Sequence, residues 1–466
     1  MVREVVAGSA LGHETVSRVR HYGRVTSTQV TRDPDALPTV APVDDVLADL
    51  EWRGLLAQTT DREGLASVLR AGPVTLYCGF DPTAESLHVG NLVPLFALRR
   101  FQLAGHRPVA LVGGATGFIG DPGGRTTERQ LQSAEQIQQR VALISSQFRR
   151  LLDVDGGGAL LVDNMEWTRA LTVIDFLRDV GKHFPVNQML ARDSVSARLL
   201  SGGLSFTEFS YQLLQSLDFL ELNRRYGCLL QVGATDQWGN ITAGLDYMRR
   251  VDGVSGHALT FPLITDSQGH KLGKSTGGGA VWLDPALTSP YALFQFALNV
   301  PDADVVTYLK LLTFVDRDTV EELASATEQR AHDRAAHKRL ARELVALVHG
   351  SEQVVRVEAA AEALFGGGDL RSLDLETLTA ALADAPSVRV DHSTSASVVD
   401  LMAEGLGISR SEVRRALGDG GVYVNNVRVV DGAAVLVEGD WLLGRFVLLR
   451  KGKRHMLVVE RGERDC

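Results

Sequence analysis

The chain has 466 residues, a formal net charge of −9 and 45% hydrophobic residues, a globular composition long enough for about three domains. Cys78, Cys228 and Cys466 are too far apart for a CxxC zinc site and odd in number, which excludes a disulfide framework and fits a reducing cytoplasm. No apolar run approaches the roughly eighteen residues of a membrane span, and an acidic surface repels polyanions at long range, so any RNA contact has to be local.

Met1 to about Pro42 mixes Arg3, Arg18, Arg20, Arg24 and Arg32 with acids and has no apolar period, so residues 1–43 read as a disordered extension. From Val43 onward Val46, Leu47, Leu50, Leu55 and Leu56 recur at helical spacing, and a folded domain begins. Apolar runs at 74–80, 107–112, 159–162 and 228–232 predict strands. They alternate with helix-like segments near 133–152, 171–180, 205–219 and 235–250. This alternation predicts parallel βαβ units: an α/β, Rossmann-like doubly wound sheet over 44–287, with its ligand at the carboxyl ends of the strands. After about Thr288 strand signals fade, and 288–383 reads as an α-helical domain in which Asp318, three before Glu321, opens one helix. Residues 366–369 and 384–396 look like linker, and 394–466 forms a small α+β domain with a helix at 409–417 and strands GVYVN, VRVV and FVLLRK.

Several segments carry chemistry. In GFDPTAESLHVGNL (79–92), a strand and a turn lead to His88, Gly90 and Asn91 at a helix start. The segment reads either as an ordinary turn with a surface histidine or as a phosphate site of imidazole and free backbone N–H groups. KLGKS (271–275) mounts Lys271 and Lys274 on a Gly-rich stretch; GHKLGKS has one residue too few between its glycines for a P-loop. GGATGFIGDPGGRTTER (113–129) does not fit GxGxxG and carries Asp121, Arg125 and Arg129, equally suited to closing on an anion or to solvent. In FTEFSYQLLQSLDF (206–219), Tyr211, Gln215 and Asp218 share one helical face opposite Phe206, Leu213 and Leu217. That stripe is either a solvated face or a pocket wall. LQVGATDQWGN (230–240) offers Asp236, Gln237 and Asn240 at a strand's carboxyl end, where a ribose or carboxylate can be gripped.

Together LYCGFDPTAESLHVGN, GATGFIGDP, VNQMLARDSVSARL, SFTEFSYQLLQSLDFL, LQVGATDQWGNI and KLGKS closely resemble the bacterial tyrosyl-tRNA synthetases, class I aminoacyl-tRNA synthetases, from about residue 44 to 460. The resemblance implies ATP-dependent attachment of L-tyrosine to tRNA(Tyr) through a tyrosyl-adenylate, with release of pyrophosphate and AMP. Thr83 and His88 are implied at the ATP phosphates, Cys78 and Asn91 near its ribose, with Gly79, Asp81 and Gly90 completing the ATP site. Lys271 and Lys274 would hold the departing pyrophosphate, helped by Arg125 and Arg129. Tyr77 and Asp218 are implied at the substrate phenol, and Asp121, Tyr211 and Gln215 at its ammonium group. Asn164 would buttress that pocket, with Asp236 and Gln237 nearest the adenylate.

Asn91 stands where the HIGH form of the signature ends in His, Leu272 and Gly273 replace Met and Ser of the KMSKS form, and Arg125 stands where lysine is common. None of these removes a required charge. Mg-ATP enters as substrate; no prosthetic group, zinc or other metal site is expected. The family further implies a cytoplasmic homodimer without membrane contact, an anticodon-recognition role for the helical domain and RNA binding by the last domain. A tryptophanyl enzyme is the nearest alternative; Tyr77, Asp218 and the appended domain favour tyrosine. The resemblance starts at VDDVLADLEWRGLL, so the native chain is expected to begin near Val43, with a tethered RNA-binding arm as the alternative reading of the preceding stretch.

Overall fold

The computed structural model describes residues 40–121, 132–190, 203–263, 279–366, 368–383, 385–391, 397–452 and 455–462, with 195, 199 and 265. The first sheet contains β1 (Gln58–Thr59), β2 (Thr75–Phe80), β3 (Arg107–Val112), β4 (Leu160–Asp163), β5 (Cys228–Ala234) and β6 (His257–Phe261). Their order is β1-β6-β5-β2-β3-β4; the last five are mutually parallel and β1 is an antiparallel edge. The parallel strands are buried on both faces, which is why TLYCGF and RPVALV read as continuous apolar runs rather than alternating ones. Strand order reverses between β2 and β5, and a doubly wound sheet opens its ligand crevice there.

The expected strands lie within two residues of the observed ones. β6 was not anticipated, because His257 and Thr260 interrupt its apolar pattern. The helix following the 113–129 segment, Ala134–Leu151, starts at a reciprocal cap between Ser133 and Gln136. The helix carrying Tyr211 and Asp218 runs Phe206–Tyr226, longer than expected, and stops at Gly227 with φ 63°. The segment near 171–180 is only one short helical turn, Val173–Asp175, widening into a π-turn through Val180.

Among the described residues, six α-helices between Pro290 and Leu382 build the second region. Its helix Arg317–Gln329 is capped by Asp316, which accepts from the Thr319 N–H at 2.9 Å; Asp318 falls inside the first turn instead. A second sheet, β7 (Ser387–Val390), β8 (Val422–Val424), β9 (Val427–Arg428), β10 (Phe446–Lys451) and β11 (His455–Arg461), has the order β7-β11-β10-β8-β9. Both linker expectations need correction. β7 lies within 384–396 and pairs in parallel with β11, because alternate Val388 and Val390 can join that sheet's core. Within 366–369, Gly368 is docked: Asn426, at φ 68°, donates from Nδ2 to Gly368 O (3.2 Å) and to Ala363 O. Leu442, Phe446 and Leu448 of the last domain share one apolar cluster with Leu364 and Leu370.

The first helix, Val46–Arg53, is tied to the helical region by charge. Arg53 and Arg100 both reach Asp49, at 2.9 and 3.0 Å. Arg53 also donates to the carbonyls of Lys310, Thr313 and Val315, and Arg100 to those of Phe96 and Thr313; Lys310 is in the last turn of helix Val305–Leu312 and Thr313 and Val315 lie just beyond it. Two guanidinium groups at a helix C-terminus complement its dipole and satisfy its last carbonyls. Residues 1–39, 122–131 and 266–278 lie outside the described residues, and with them the expected disordered extension and Arg125, Arg129, Lys271 and Lys274.

Candidate active site

A cavity of about 740 Å³ opens at the β2/β5 reversal, walled by the ends of both strands, the turn through His88 and the helix Phe206–Tyr226. Its deepest part is built around Asp218, 3% exposed. Asn164 Nδ2 donates to Asp218 Oδ2 at 3.0 Å and Trp167 Nε1 donates to Oδ1 at 2.9 Å. Burial raises the Asp218 pKa to about 7 despite those two donors, and the neighbouring Asp81 and Asp163 add to the rise. Tyr77, 1% exposed, packs its ring 5.3 Å from Phe219, and its hydroxyl has no partner among the described residues. Burial, then the Asp218 charge, holds that hydroxyl protonated well above the usual tyrosine range. An unpaired buried hydroxyl costs stability, and a ligand that pairs it recovers that cost on binding.

A chain of bonds runs outward from this floor. Asn164 Oδ1 accepts from Ala115 N–H at 2.7 Å, which fixes the amide's orientation, and Nδ2 also donates to Thr116 Oγ1 at 3.1 Å. Thr116 donates to Asp81 Oδ1 at 2.7 Å, and the Tyr211 hydroxyl donates to Asp81 Oδ2 at 2.9 Å. Asp81, implied at ATP, thus has both oxygens engaged in orienting Thr116 and Tyr211. Gly113 makes this possible: a Cβ there would lie 2.2 Å from Asp81 Oδ1 and 2.3 Å from Thr116 Oγ1. On the other wall Gln237 Nε2 donates to Asp121 Oδ2 at 2.6 Å, and Asn240 Nδ2 holds Gln215 Oε1 at 3.0 Å.

At the outer end Thr83 is exposed and His88 and Asn91 are half-buried. The expected free backbone N–H groups are not free. Gly90 N–H donates to His88 Nδ1 at 3.0 Å, Val89 N–H to Val281 O at 2.9 Å and Asn91 N–H to His88 O at 2.8 Å. Asn91 Oδ1 in turn accepts from His88 N–H at 2.9 Å. Burial lowers the His88 pKa, so the ring is neutral at pH 7; with Nδ1 accepting, its proton is on Nε2, an uncharged donor.

The cavity therefore gathers Tyr77, Cys78, Gly79, Asp81, Thr83, His88, Asn91, Asp121, Asn164, Tyr211, Gln215, Asp218 and Gln237. Gly90 and the exposed Asp236 do not line it. The polar stripe on the 206–226 helix is a pocket wall; Phe206, placed opposite it, is 73% exposed. Sequence reading missed Thr116, Trp167 and Gln231. Gln231, 2% exposed on β5 in register with Tyr77, lines the cavity with an unpartnered Oε1. A glutamine in an otherwise apolar strand was the available signal. Among the described residues no group of three or more His, Cys, Asp or Glu is arranged to hold a metal ion.

A crevice at the strand reversal, with a histidine turn after the first parallel strand, defines a class I synthetase fold. Residues 69–366 match the family described as "tRNA synthetases class I (W and Y)", and 377–459 match "Tyrosine--tRNA ligase SYY-like C-terminal domain". The tyrosine–tRNA ligase of Nocardia farcinica is 53% identical over 424 residues, covering 90% of this chain and 99% of its own. That of Streptomyces coelicolor is 53% identical over 420 residues, covering 89% and 99%. A C-terminally truncated mitochondrial tyrosyl-tRNA synthetase from Coccidioides posadasii superposes with a TM-score of 0.60 at 31% identity, covering 68% of this chain and 91% of that one. The chain belongs to the tyrosine–tRNA ligases.

Proposed function

We propose that the chain joins L-tyrosine to tRNA(Tyr) in two steps, first forming tyrosyl-adenylate from tyrosine and Mg-ATP, then passing the tyrosyl group to the terminal ribose of the tRNA. One observation carries the choice of tyrosine: the buried, unpartnered Tyr77 hydroxyl beside an Asp218 whose two oxygens are held by Asn164 and Trp167. Tyr77 donates to the substrate phenol oxygen, and the phenol O–H donates to Asp218. Tyr211, its own proton committed to Asp81, offers a lone pair to the substrate ammonium group alongside Asp121 and Gln215. Gln237 orients the carboxylate.

In the first step the tyrosine carboxylate attacks the α-phosphorus in line and the bond to pyrophosphate breaks. No protein nucleophile is required, so catalysis is positioning and charge stabilisation. His88 Nε2–H, Thr83 and Asn91 contact phosphate and ribose. Lys271, Lys274, Arg125 and Arg129 neutralise the leaving pyrophosphate. The helical domain, 288–383, reads the anticodon, and the last domain binds RNA. The exposed apolar residues Val173 (74%), Ile174 (68%) and Phe206 (73%) support a homodimer that covers them. No described helix is long and apolar enough to cross a membrane.

The test is pyrophosphate exchange into ATP with tyrosine, phenylalanine and tryptophan in turn. Exchange should require tyrosine. Tyr77→Phe should relax the tyrosine-to-phenylalanine ratio of kcat/KM, because a site built to bond a hydroxyl leaves its own groups unpaired without one. Tyrosyl-tRNA synthetases are themselves the general case for this effect, with discrimination of roughly 10⁵ carried over from that class. An unchanged ratio would overturn the assignment of Tyr77.

A further inference from the structure

The helix Ala134–Leu151 buries Ile137, Ile144, Phe148 and Leu151, and on that same face it buries Gln147, 8% exposed. A glutamine there has to bond its amide internally. Gln147 Oε1 accepts from the Leu87 N–H at 2.9 Å and its Nε2 donates to Ser86 Oγ at 3.0 Å. Because a backbone N–H can only donate, the amide's orientation is fixed. Ser86, 4% exposed, donates to Leu87 O at 2.7 Å and accepts a second bond, from the Asp284 N–H at 3.0 Å. Its single donor and both acceptor positions are thereby used. Leu87 O also accepts from the Leu283 N–H at 2.8 Å, and Val89 N–H donates to Val281 O. His88 and Trp282 form a bridge between these two segments, with ring centroids 6.3 Å apart.

Three pieces of chain meet at this pair. Residues 86–89 present His88, residues 281–284 follow the KLGKS stretch in sequence, and the helix bearing Gln147 follows the segment carrying Arg125 and Arg129. We propose that Gln147 and Ser86 are positioning residues for adenylate formation, which set His88 against the 281–284 segment, Gln147 from behind the cavity wall and Ser86 within that wall with its hydroxyl committed to protein partners. The inference rests on the phosphate role given to His88 above. Replacing Gln147 with an apolar residue leaves the Leu87 N–H and the Ser86 hydroxyl short of partners, so the turn before His88 relaxes. A displacement on the scale of an ångström at a reacting group costs about 100-fold in rate.

The experiment compares Gln147→Leu, Ser86→Ala, His88→Ala and the double variant Gln147→Leu/His88→Ala in the full chain. Stopped-flow fluorescence gives the rate of adenylate formation, equilibrium dialysis gives tyrosine affinity, and thermal unfolding checks that each variant folds. Gln147→Leu should slow adenylate formation about 10- to 100-fold with tyrosine affinity held within about twofold. Ser86→Ala, which takes the acceptor from the Asp284 N–H and from Gln147 Nε2, should do the same. The double variant should be no slower than His88→Ala alone, since a residue acting through His88 has nothing left to position. Additive losses, an unchanged rate in a folded Gln147→Leu, or a parallel loss of tyrosine affinity would each overturn the proposal. A normal rate in His88→Ala would instead remove the reading on which it rests.

Discussion

At the buried end of the cleft, Asp218 has a fixed donor on each oxygen, Asn164 is pinned by Ala115, and the Tyr77 ring is wedged against Phe219. At the exposed end His88 offers one uncharged N–H, Thr83 faces solvent, and the cations assigned to phosphate belong to Gly-rich sequences. In the proposed reaction the first end meets the tyrosine side chain, whose charge distribution hardly changes, so rigid complementarity there serves selection. The second, on the same proposal, faces the phosphorus centre on which charge grows and departs, so its groups contribute by strengthening their contacts in the transition state. Selection and rate enhancement are thus assigned to separate ends of one cavity.

The strongest test of that division is at the lysines. Lys271→Ala and Lys274→Ala should each slow adenylate formation about 100- to 1,000-fold and leave tyrosine affinity unchanged in single-turnover and dialysis measurements. Equal losses in both would erase the distinction. A smaller effect, about tenfold per pH unit, is expected from the other end. Burial pushes the Asp218 pKa up to about 7, and in the proposed complex the phenol donates to its ionised form. Tyrosine affinity should therefore be full above that value and weaken as pH falls through it, and Asp218→Asn should flatten the profile. His88, its pKa lowered by burial, predicts no change in the adenylate rate from pH 7 upward when tyrosine is saturating.

The smallest effect belongs to the last domain. Residues 409–461 hold ten Lys or Arg against six acids, 10 − 6 = +4, yet Arg410, Arg445, Lys451 and Arg461 are paired with carboxylates. Arg414 and Arg415 are exposed on helix Arg410–Gly418 with no ion-pair partner among the described residues. Replacing both by Ala should leave pyrophosphate exchange intact, weaken tRNA charging a few-fold and lower its salt slope by about 1 to 2. These substitutions are cleaner than removing 394–466, which would strand β7 from its partner β11.

Four of the five parallel strands were legible because burial on both faces leaves an unbroken apolar run, as in VTLYCGF; β6 was not, its pattern broken by His257 and Thr260. β7 was not, because SVRV alternates and sits among turn formers. At the site, Tyr211, Gln215 and Asp218 were legible as a shared helical face, but whether that face met solvent or a pocket depended on what packed against it. Gln147 shows the converse: in a helix rich in Gln, Ser and Arg, one buried glutamine looks like any solvated one. The backbone donors around His88 were misjudged because the histidine's own ring nitrogen takes one of them, a contact that depends on side-chain rotation and not on spacing.

The arginine pair beneath the first helix bears on how the chain is made. Arg53 bonds the carbonyls of residues 257, 260 and 262 positions later in sequence. At ribosomal speeds of about 5–20 residues per second, roughly 13 to 50 s separate the synthesis of Arg53 from that of its partners. Throughout that interval the first helix carries a charge whose acceptors do not yet exist, while Asp49 alone can neutralise it. The catalytic region therefore cannot lock its opening helix until the second region has begun to emerge, and the two regions are expected to reach their final packing together during translation.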